Sequence, residues 1–100
     1  MEMLMKPSIA YIHNRDEIRE TIFRFKSINP RIFGSVVKGT DREGSDIDIL
    51  IDPLPGATLF DIGGLQIELE ELLGVSVDLL TPADLPTKFR DQVLAEAKAI

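Results

Sequence analysis

Two short motifs near the middle of the sequence could together bind a phosphate group and divalent metal ions. Gly34-Ser35 is followed after ten residues by Asp46-Ile47-Asp48. Glycine lets the backbone approach phosphate oxygens closely, and the amides of the following turn, with the Ser35 hydroxyl, can donate hydrogen bonds to them. Aspartates two apart on a strand share one face at a spacing of roughly 6.6 Å, and their side chains can converge on a pair of metal ions about 3.5 to 4 Å apart. The pattern predicts metal-assisted phosphoryl or nucleotidyl transfer.

A third carboxylate for such a site is present further along the chain. In Val75-Ser76-Val77-Asp78-Leu79, Asp78 faces opposite to Val77 and Leu79 and so lies on the polar side of its strand. Asp52 has the same parity as Asp46 and Asp48, but it lies about 13 Å beyond Asp48 along the strand. We therefore expect Asp46, Asp48 and Asp78 to be the metal ligands and exclude Asp52.

Two cations lie between the motifs. Lys38 follows the Gly-Ser step within the same turn, and Arg42 is in the polar loop after it. Either could neutralise phosphate charge that the metal ions leave unbalanced. We expect Gly34, Ser35, Lys38 and Arg42 to contact the nucleotide.

The surrounding sequence predicts the elements that position these residues. Apolar residues at helical spacing predict helices, and alternating apolar and polar residues predict strands. Pro and Gly mark the breaks between these elements. The alternation places Ile47, Ile49 and Ile51 on one face and the aspartates on the other, and Gly74 is at a C-cap position. The predicted order is a helix at 15–27, strands at 31–33 and 46–51, a helix at 59–73, a strand at 75–80, a helix start at 81–84 and a helix at 87–99.

This order predicts an α+β fold in which helices flank a small, three-stranded mixed β-sheet. The isoleucine face of the second strand would be buried against the helices, and the opposite face would be left with carboxylates. One hundred residues, 44% of them hydrophobic, predict a single domain over residues 1–100.

Composition limits the partners. The net charge of −6 argues against broad binding to a nucleic-acid backbone, so the substrate should be a small nucleotide or a protein. The chain has no cysteine, which fits a reducing cytoplasm. Met1 to Lys6 does not resemble a signal peptide, and no apolar run approaches the roughly 20 residues of a membrane span. We expect a soluble, cytoplasmic protein that binds neither nucleic acid nor membrane.

Each motif also has a simpler interpretation. Gly-Ser is a common turn dipeptide, the aspartates could belong to an exposed sheet face, and Lys38 and Arg42 could be solvated loop charges. Aspartate is nevertheless depleted in strands, and two acids on one face repel each other. The combination of motifs favours a functional site.

That combination resembles the minimal nucleotidyltransferase family, small relatives of the polymerase beta superfamily that often occur as the antitoxin beside a HEPN-domain toxin. The resemblance covers roughly residues 28–100. It rests on Ile32-Phe33-Gly34-Ser35, Gly39, Ser45-Asp46-Ile47-Asp48-Ile49-Leu50-Ile51-Asp52, Leu72-Leu73-Gly74-Val75 and Val77-Asp78-Leu79-Leu80-Thr81. It implies a nucleotidyltransferase fold like the palm of polymerase beta.

The resemblance also implies a reaction. Family members use Mg²⁺, here two ions, to transfer a nucleoside monophosphate from a triphosphate such as ATP to an acceptor hydroxyl. By resemblance, Asp46 and Asp48 would bind both metals, Asp78 would hold the catalytic metal and help to deprotonate the acceptor, and Gly34 and Ser35 would hold the triphosphate. The family commonly has an arginine where this chain has Lys38, which keeps the charge but loses the bidentate fork.

Three functions remain open from the sequence. In toxin-paired relatives the implied acceptor is a tyrosine of the HEPN partner, so the chain would be a protein adenylyltransferase and an antitoxin in a hetero-oligomer. Alternatively, it would be an inactive antitoxin that neutralises its partner by binding alone, which its acidity and small size favour. A transferase for small molecules such as aminoglycosides is a third possibility, but such enzymes usually need an additional helical domain.

Overall fold

The computed structural model describes residues 6–100, so the expectation for the first residues lies almost wholly outside the part described. This part contains five α-helices, four β-strands and one short 3₁₀ helix. In chain order they are α1 (Pro7–His13), α2 (Arg15–Arg24), β1 (Ser27–Phe33), α3 (Ser35–Lys38), β2 (Ile47–Pro53), α4 (Leu59–Leu73), β3 (Val77–Leu80), the 3₁₀ helix (Pro82–Asp84), α5 (Thr87–Glu96) and β4 (Lys98–Ala99).

The sheet is mixed and has the strand order β3-β2-β1-β4. Strands β2 and β3 are parallel, while β1 is antiparallel to both β2 and β4. The predicted α+β class and mixed sheet are confirmed, but the predicted number of three strands is wrong. The fourth strand has only two residues, Lys98 and Ala99, which pair with Ile32 and Arg31. A pairing this short has no periodicity of its own, and the helix predicted for 87–99 ends at Glu96 instead.

The main core lies on the face of the sheet that the alternation predicted. Ile47, Ile49 and Ile51 are fully buried there. Helices α2 and α4 cover this face with side chains at helical spacing, namely Ile18, Ile22, Leu65, Leu69 and Leu73. Burial of such side chains stabilises the fold by about 1.5 to 3 kcal/mol each.

The opposite face of the sheet is less polar than predicted. Leu50 points to the side of Asp48 and is nevertheless fully buried. The 3₁₀ helix contacts β2, and Leu85, directly after it, is buried as well. The carboxylates therefore occupy only one end of this face, because a second, smaller apolar layer covers its middle.

The first part of the chain differs most from the prediction. Helix α2 ends at Arg24, not at Ser27, and β1 begins at Ser27, not at Arg31. The turn uses Lys26 at φ 61°, and the register of β1 shifts between Ile28 and Arg31. Such an irregularity accommodates Pro30, which has no amide hydrogen for the ladder. The sequence pattern did not indicate α1 at all.

Helix α4 begins at Leu59 and ends at Leu73, as the sequence predicted. The Thr58 side chain accepts a hydrogen bond from the Asp61 amide, and Gly74 ends the helix in the left-handed conformation at φ 69°. A Cβ at Gly64 would lie 3.0 Å from the Phe25 ring. This close packing explains why a glycine stands inside a helix. No helix among residues 6–100 is both long and apolar enough to cross a membrane.

Candidate active site

Three side chains form a row across one end of the sheet. Asp48 on β2 is paired with Asp78 on the parallel strand β3 and with Phe33 on the antiparallel strand β1. Residues directly opposite each other in a sheet point to the same face. The structure therefore brings together Asp48 and Asp78, two of the three predicted aspartates, and it adds Phe33 on the other side of Asp48. Asp46 directly precedes β2, which begins at Ile47 instead of the predicted residue 46.

The carboxylates of Asp46, Asp48 and Asp78 affect one another electrostatically. Burial, the charge of Asp78 and the charge of Asp46 raise the pKa of Asp48 from 3.8 to about 6, and a hydrogen bond between the Asp48 and Asp78 carboxyls adds to the shift. Asp46 and Asp78 are exposed, whereas Asp48 is partly buried. The site thus concentrates negative charge that a bound cation would compensate.

Hydrogen bonds from neighbouring segments hold the carboxylate strands in place. The Glu70 carboxylate of α4 accepts a hydrogen bond from the Val77 amide at 3.0 Å, just before Asp78. The Ile47 amide, between Asp46 and Asp48, donates to the Ser76 carbonyl at 2.9 Å. Sequence reasoning missed Glu70, because this contact is between elements and no local pattern predicts it.

Gly34 lies directly against Asp48. A Cβ at Gly34 would collide with the Asp48 carboxylate and would lie only 3.0 Å from its Cγ. The backbone of Gly34 also has φ 72° and ψ −143°, a region that is essentially restricted to glycine. Both observations explain why this position needs glycine, and they join the Gly-Ser motif to the carboxylates.

Ser35 begins the short helix α3 within the predicted turn. The Lys38 amide donates to the Gly34 carbonyl at 3.1 Å, and Gly39 ends the helix in the left-handed conformation at φ 72°. The first amides of a helix have no intrahelical acceptor. The backbone after Gly34 therefore offers donors beside the carboxylates, as a phosphate-binding turn requires.

The two predicted cations lie on exposed backbone around this turn. Lys38 is the last residue of α3, and Arg42 is in the loop before β2. Within residues 6–100 neither side chain forms a salt bridge. The Ser45 Oγ accepts a hydrogen bond from the Arg42 amide at 3.0 Å and thereby shapes this loop. Both cations remain available to an anionic ligand.

Asp41 anchors the same loop to the start of the chain. Its carboxylate accepts a hydrogen bond from the Ser8 amide at 2.8 Å, in the first turn of α1. Although burial acts to raise the pKa of Asp41, hydrogen bonds with Ser8 hold it below its usual value. This residue was not among the predicted site residues, because the two partners are 33 positions apart.

Asp52 lies outside the site, as predicted. Its carboxylate accepts hydrogen bonds from Arg31 and Asn29, both at 2.8 Å. It is paired with Ile28, far along β1 from Phe33. Asp52 is thus already neutralised at the other end of the strand.

The residues at the site fit a hard divalent cation, although they do not form a complete cage. Among residues 6–100 there is no group of three or more His, Cys, Asp or Glu side chains arranged to hold a metal ion. Carboxylate oxygens are, however, the ligands that Mg²⁺ prefers, and it commonly takes only one or two carboxylates beside substrate phosphate oxygens. The adjacent Asp48 and Asp78 supply that number of carboxylates.

Comparisons with known proteins agree with this geometry. The family model described as "Nucleotidyltransferase domain" matches residues 16–100. A relative from Methanocaldococcus jannaschii, named "Putative protein adenylyltransferase", is 44% identical over 66% of this chain and 71% of the relative. "Protein adenylyltransferase MntA" from Thermococcus cleftensis is 38% identical over 89% of this chain and 86% of the relative.

Solved structures share the fold. One, described as a "putative minimal nucleotidyltransferase", has a TM-score of 0.79 and 36% identity and covers 93% of both chains. A chain in a crystal structure of a toxin-antitoxin with AMP-PNP has a TM-score of 0.72 and 26% identity, covering 86% of this chain and 71% of that chain. The fold predicted from the resemblance is confirmed.

Proposed function

Since the chain belongs to the nucleotidyltransferase domain family and is a nucleotidyltransferase, we propose that it transfers AMP from ATP to a tyrosine hydroxyl of a HEPN-domain toxin and thereby acts as the antitoxin. The observation that carries this proposal is the contact between Gly34 and Asp48, with Asp78 beside it. This contact joins a phosphate-binding turn to the carboxylates of a transferase. The family assignment expected from these motifs is confirmed.

The choice of a protein as acceptor is supported by the relatives. Two of them are named protein adenylyltransferases, and a similar chain occurs in a toxin-antitoxin structure with AMP-PNP. The proposed setting is the cytoplasm of a prokaryotic cell, in a hetero-oligomer with the toxin. The net charge of −6 argues against direct binding to nucleic acid.

The proposed reaction is a single displacement at the α-phosphorus of ATP. A bond forms between the acceptor oxygen and the α-phosphorus, the bond to the β-phosphate oxygen breaks, and pyrophosphate leaves. Asp78 is exposed and lies at the end of the carboxylate row, the part of the row formed by Asp48 and Asp78. It accepts the proton of the acceptor hydroxyl. Asp46, Asp48 and Asp78 would hold two Mg²⁺ ions, which compensate the charge that develops on the attacking and leaving oxygens.

The remaining side chains bind and orient the triphosphate. The amides after Gly34 and the Ser35 hydroxyl donate to its oxygens, while Lys38 and Arg42 supply positive charge from the exposed turn and loop. Such orientation contributes strongly to rate, because a misplacement of about 1 Å can cost a hundredfold.

The direct test is intact mass spectrometry of the chain co-purified with its partner, incubated with ATP and Mg²⁺. We expect the partner to gain one or more AMP units, and peptide mapping to place them on tyrosine. Asp48→Asn should abolish this gain. Asp52→Asn is the matched control, since Asp52 lies on the same strand and the same face but outside the site.

Neutralisation by contact alone is the second candidate. It is favoured by the exposed apolar side chains at the start of α4, where Leu59 is 87% and Phe60 is 92% exposed. If the partner's mass stays unchanged while Asp48→Asn still forms the complex and still neutralises the toxin, this second function replaces the first.

A further inference from the structure

An apolar groove lies beside the carboxylate row and has no role in the chemistry described so far. It has a volume of about 440 Å³, within the usual range for small-molecule sites. Phe33 and Leu80 of the sheet face it on one side, and Phe89 and Val93 of α5 on the other. Phe89 is 50% exposed, so part of its ring is accessible to a ligand.

The groove is continuous with the phosphate-binding turn. Phe33 is paired with Asp48 and directly precedes Gly34. Lys38, at the end of α3, also lines the groove. A ligand whose phosphates contact the turn can therefore extend into the groove without leaving the surface of the protein.

The wall formed by α5 is fixed in position. The Arg90 guanidinium donates hydrogen bonds to the carbonyl oxygens of Pro82 at 2.9 Å and of Leu85 at 3.1 Å. These contacts tie α5 to the 3₁₀ helix that covers the sheet. A fixed wall can hold a planar ligand without first having to become ordered.

Polar groups at the edge of this wall could distinguish one base from another. Gln92 and Glu96 line the groove, and the Gln92 Nε2 donates to the Glu96 Oε1 at 3.3 Å. A glutamine amide can accept from the N6 amino group of adenine while donating to N7, whereas guanine presents acceptors at both corresponding positions.

From these observations we propose that the groove binds the base of the nucleoside triphosphate, that Phe33 and Phe89 pack against it, and that Gln92 selects adenine. This inference rests on the proposed function, because it takes the triphosphate to lie at Gly34 and Ser35. It assigns the choice of nucleotide to α5, an element that carries none of Asp46, Asp48 and Asp78.

The test compares ligands that have and lack a base. The affinities of the full chain for ATP, GTP and inorganic tripolyphosphate are measured by calorimetry with Mg²⁺. Base–aromatic stacking typically contributes about 1–3 kcal/mol per base, so Phe89→Ala should weaken ATP binding by about five- to 150-fold. It should leave tripolyphosphate binding unchanged. Val93→Trp, which fills the groove, should have the same selective effect.

Specificity is tested separately. Gln92→Ala should reduce the preference for ATP over GTP by about tenfold, with the affinity for tripolyphosphate unchanged. Asp91→Asn is the matched control, because Asp91 is exposed on the same helix and does not line the groove. It should bind all three ligands like the original chain.

The possible failures are distinguishable. If Phe89→Ala binds ATP as tightly as the original chain but no longer transfers AMP to the partner, the inference is overturned and the groove is assigned to the acceptor. An equal loss of ATP and tripolyphosphate affinity in both Phe89→Ala and Val93→Trp would overturn it as well, because the groove would then support the phosphate turn only. If the original chain binds neither ATP nor tripolyphosphate, the proposed function itself fails.

Discussion

The backbone of Gly34 and the carboxylate of Asp48 approach each other so closely that no Cβ fits between them. The approach is possible because Gly34 directly follows Phe33, the last residue of β1, which is paired with Asp48 on β2. The turn that we propose to bind phosphates and the carboxylate that we propose to bind a cation thereby become one unit. Changes on either side of this contact should affect both stability and ligand binding.

Gly34→Ala is expected to disrupt this unit. A non-glycine residue at positive φ costs about 1–2 kcal/mol by itself, and the collision with Asp48 adds to that cost. Gly56→Ala is the matched control, because Gly56 has φ 92° but open space around its Cα. We expect Gly34→Ala to unfold at lower denaturant concentration than Gly56→Ala and to lose nucleotide affinity, whereas Gly56→Ala should lose stability only. Equal stability of the two variants would show that the collision is relieved at no cost.

Asp48→Asn should make the ligand-free protein more stable at neutral pH. Burial and the charges of Asp78 and Asp46 raise the pKa of Asp48 from 3.8 to about 6 in the folded chain. The folded state therefore binds this proton more tightly than the unfolded state, and the free energy of unfolding falls as pH rises through this interval. Above about pH 6 the buried charge of Asp48 lowers the free energy of unfolding. Asp48→Asn removes this charge and therefore stabilises the chain, at the expense of activity.

This prediction is checked by urea denaturation between pH 3.5 and 8 without divalent cations. The variant should show a flatter dependence on pH than the original chain and a higher midpoint at pH 7.5. Adding Mg²⁺ and ATP should stabilise the original chain and not the variant. A pH profile of Asp48→Asn identical to that of the original chain would contradict the assignment of this electrostatic penalty to Asp48.

Local patterns predicted much of the structure, and the reason is visible in particular residues. Ile47, Ile49 and Ile51 alternate with Asp48 and Leu50 in β2, so strand periodicity alone identified the face that forms the main core. The same parity placed Asp78 on the polar side of its strand, and the structure pairs it with Asp48. These features depend on residues that are close in sequence, so a local sequence pattern can predict them.

The features that were missed depend on contacts between distant residues. Helix α1 has no side-chain cap of its own, and Asp41 accepts a hydrogen bond from its Ser8 amide instead. Strand β4 exists only because Lys98 and Ala99 meet the edge of β1. Leu50 is buried on a strand that the distant 3₁₀ helix contacts. Periodicity within a segment cannot predict such tertiary contacts.

Asp41→Ala is expected to loosen both α1 and the loop that carries Arg42. Loss of a side-chain acceptor at a helix N-terminus costs about 0.5–2 kcal/mol, and the Ser8 amide would lose its partner. Hydrogen exchange should become faster at the amides of α1, and chemical denaturation should give a stability loss in this range. Asp41→Asn keeps an oxygen acceptor and should lose less. Equal protection of α1 in both variants and the original chain would contradict this role.

Lys38→Arg should strengthen triphosphate binding. Lys38 lies at the end of α3, exposed and free of salt bridges among residues 6–100, so its side chain can reach a ligand at the turn. Arginine keeps the positive charge and adds a planar fork that binds phosphate oxygens in a bidentate manner. We expect a gain of a few-fold in affinity for both ATP and inorganic tripolyphosphate, since the contact is to phosphate. Lys98→Arg on β4 is the control and should change neither affinity. A gain for ATP without a gain for tripolyphosphate would instead place Lys38 at the nucleoside, in the groove that it also lines.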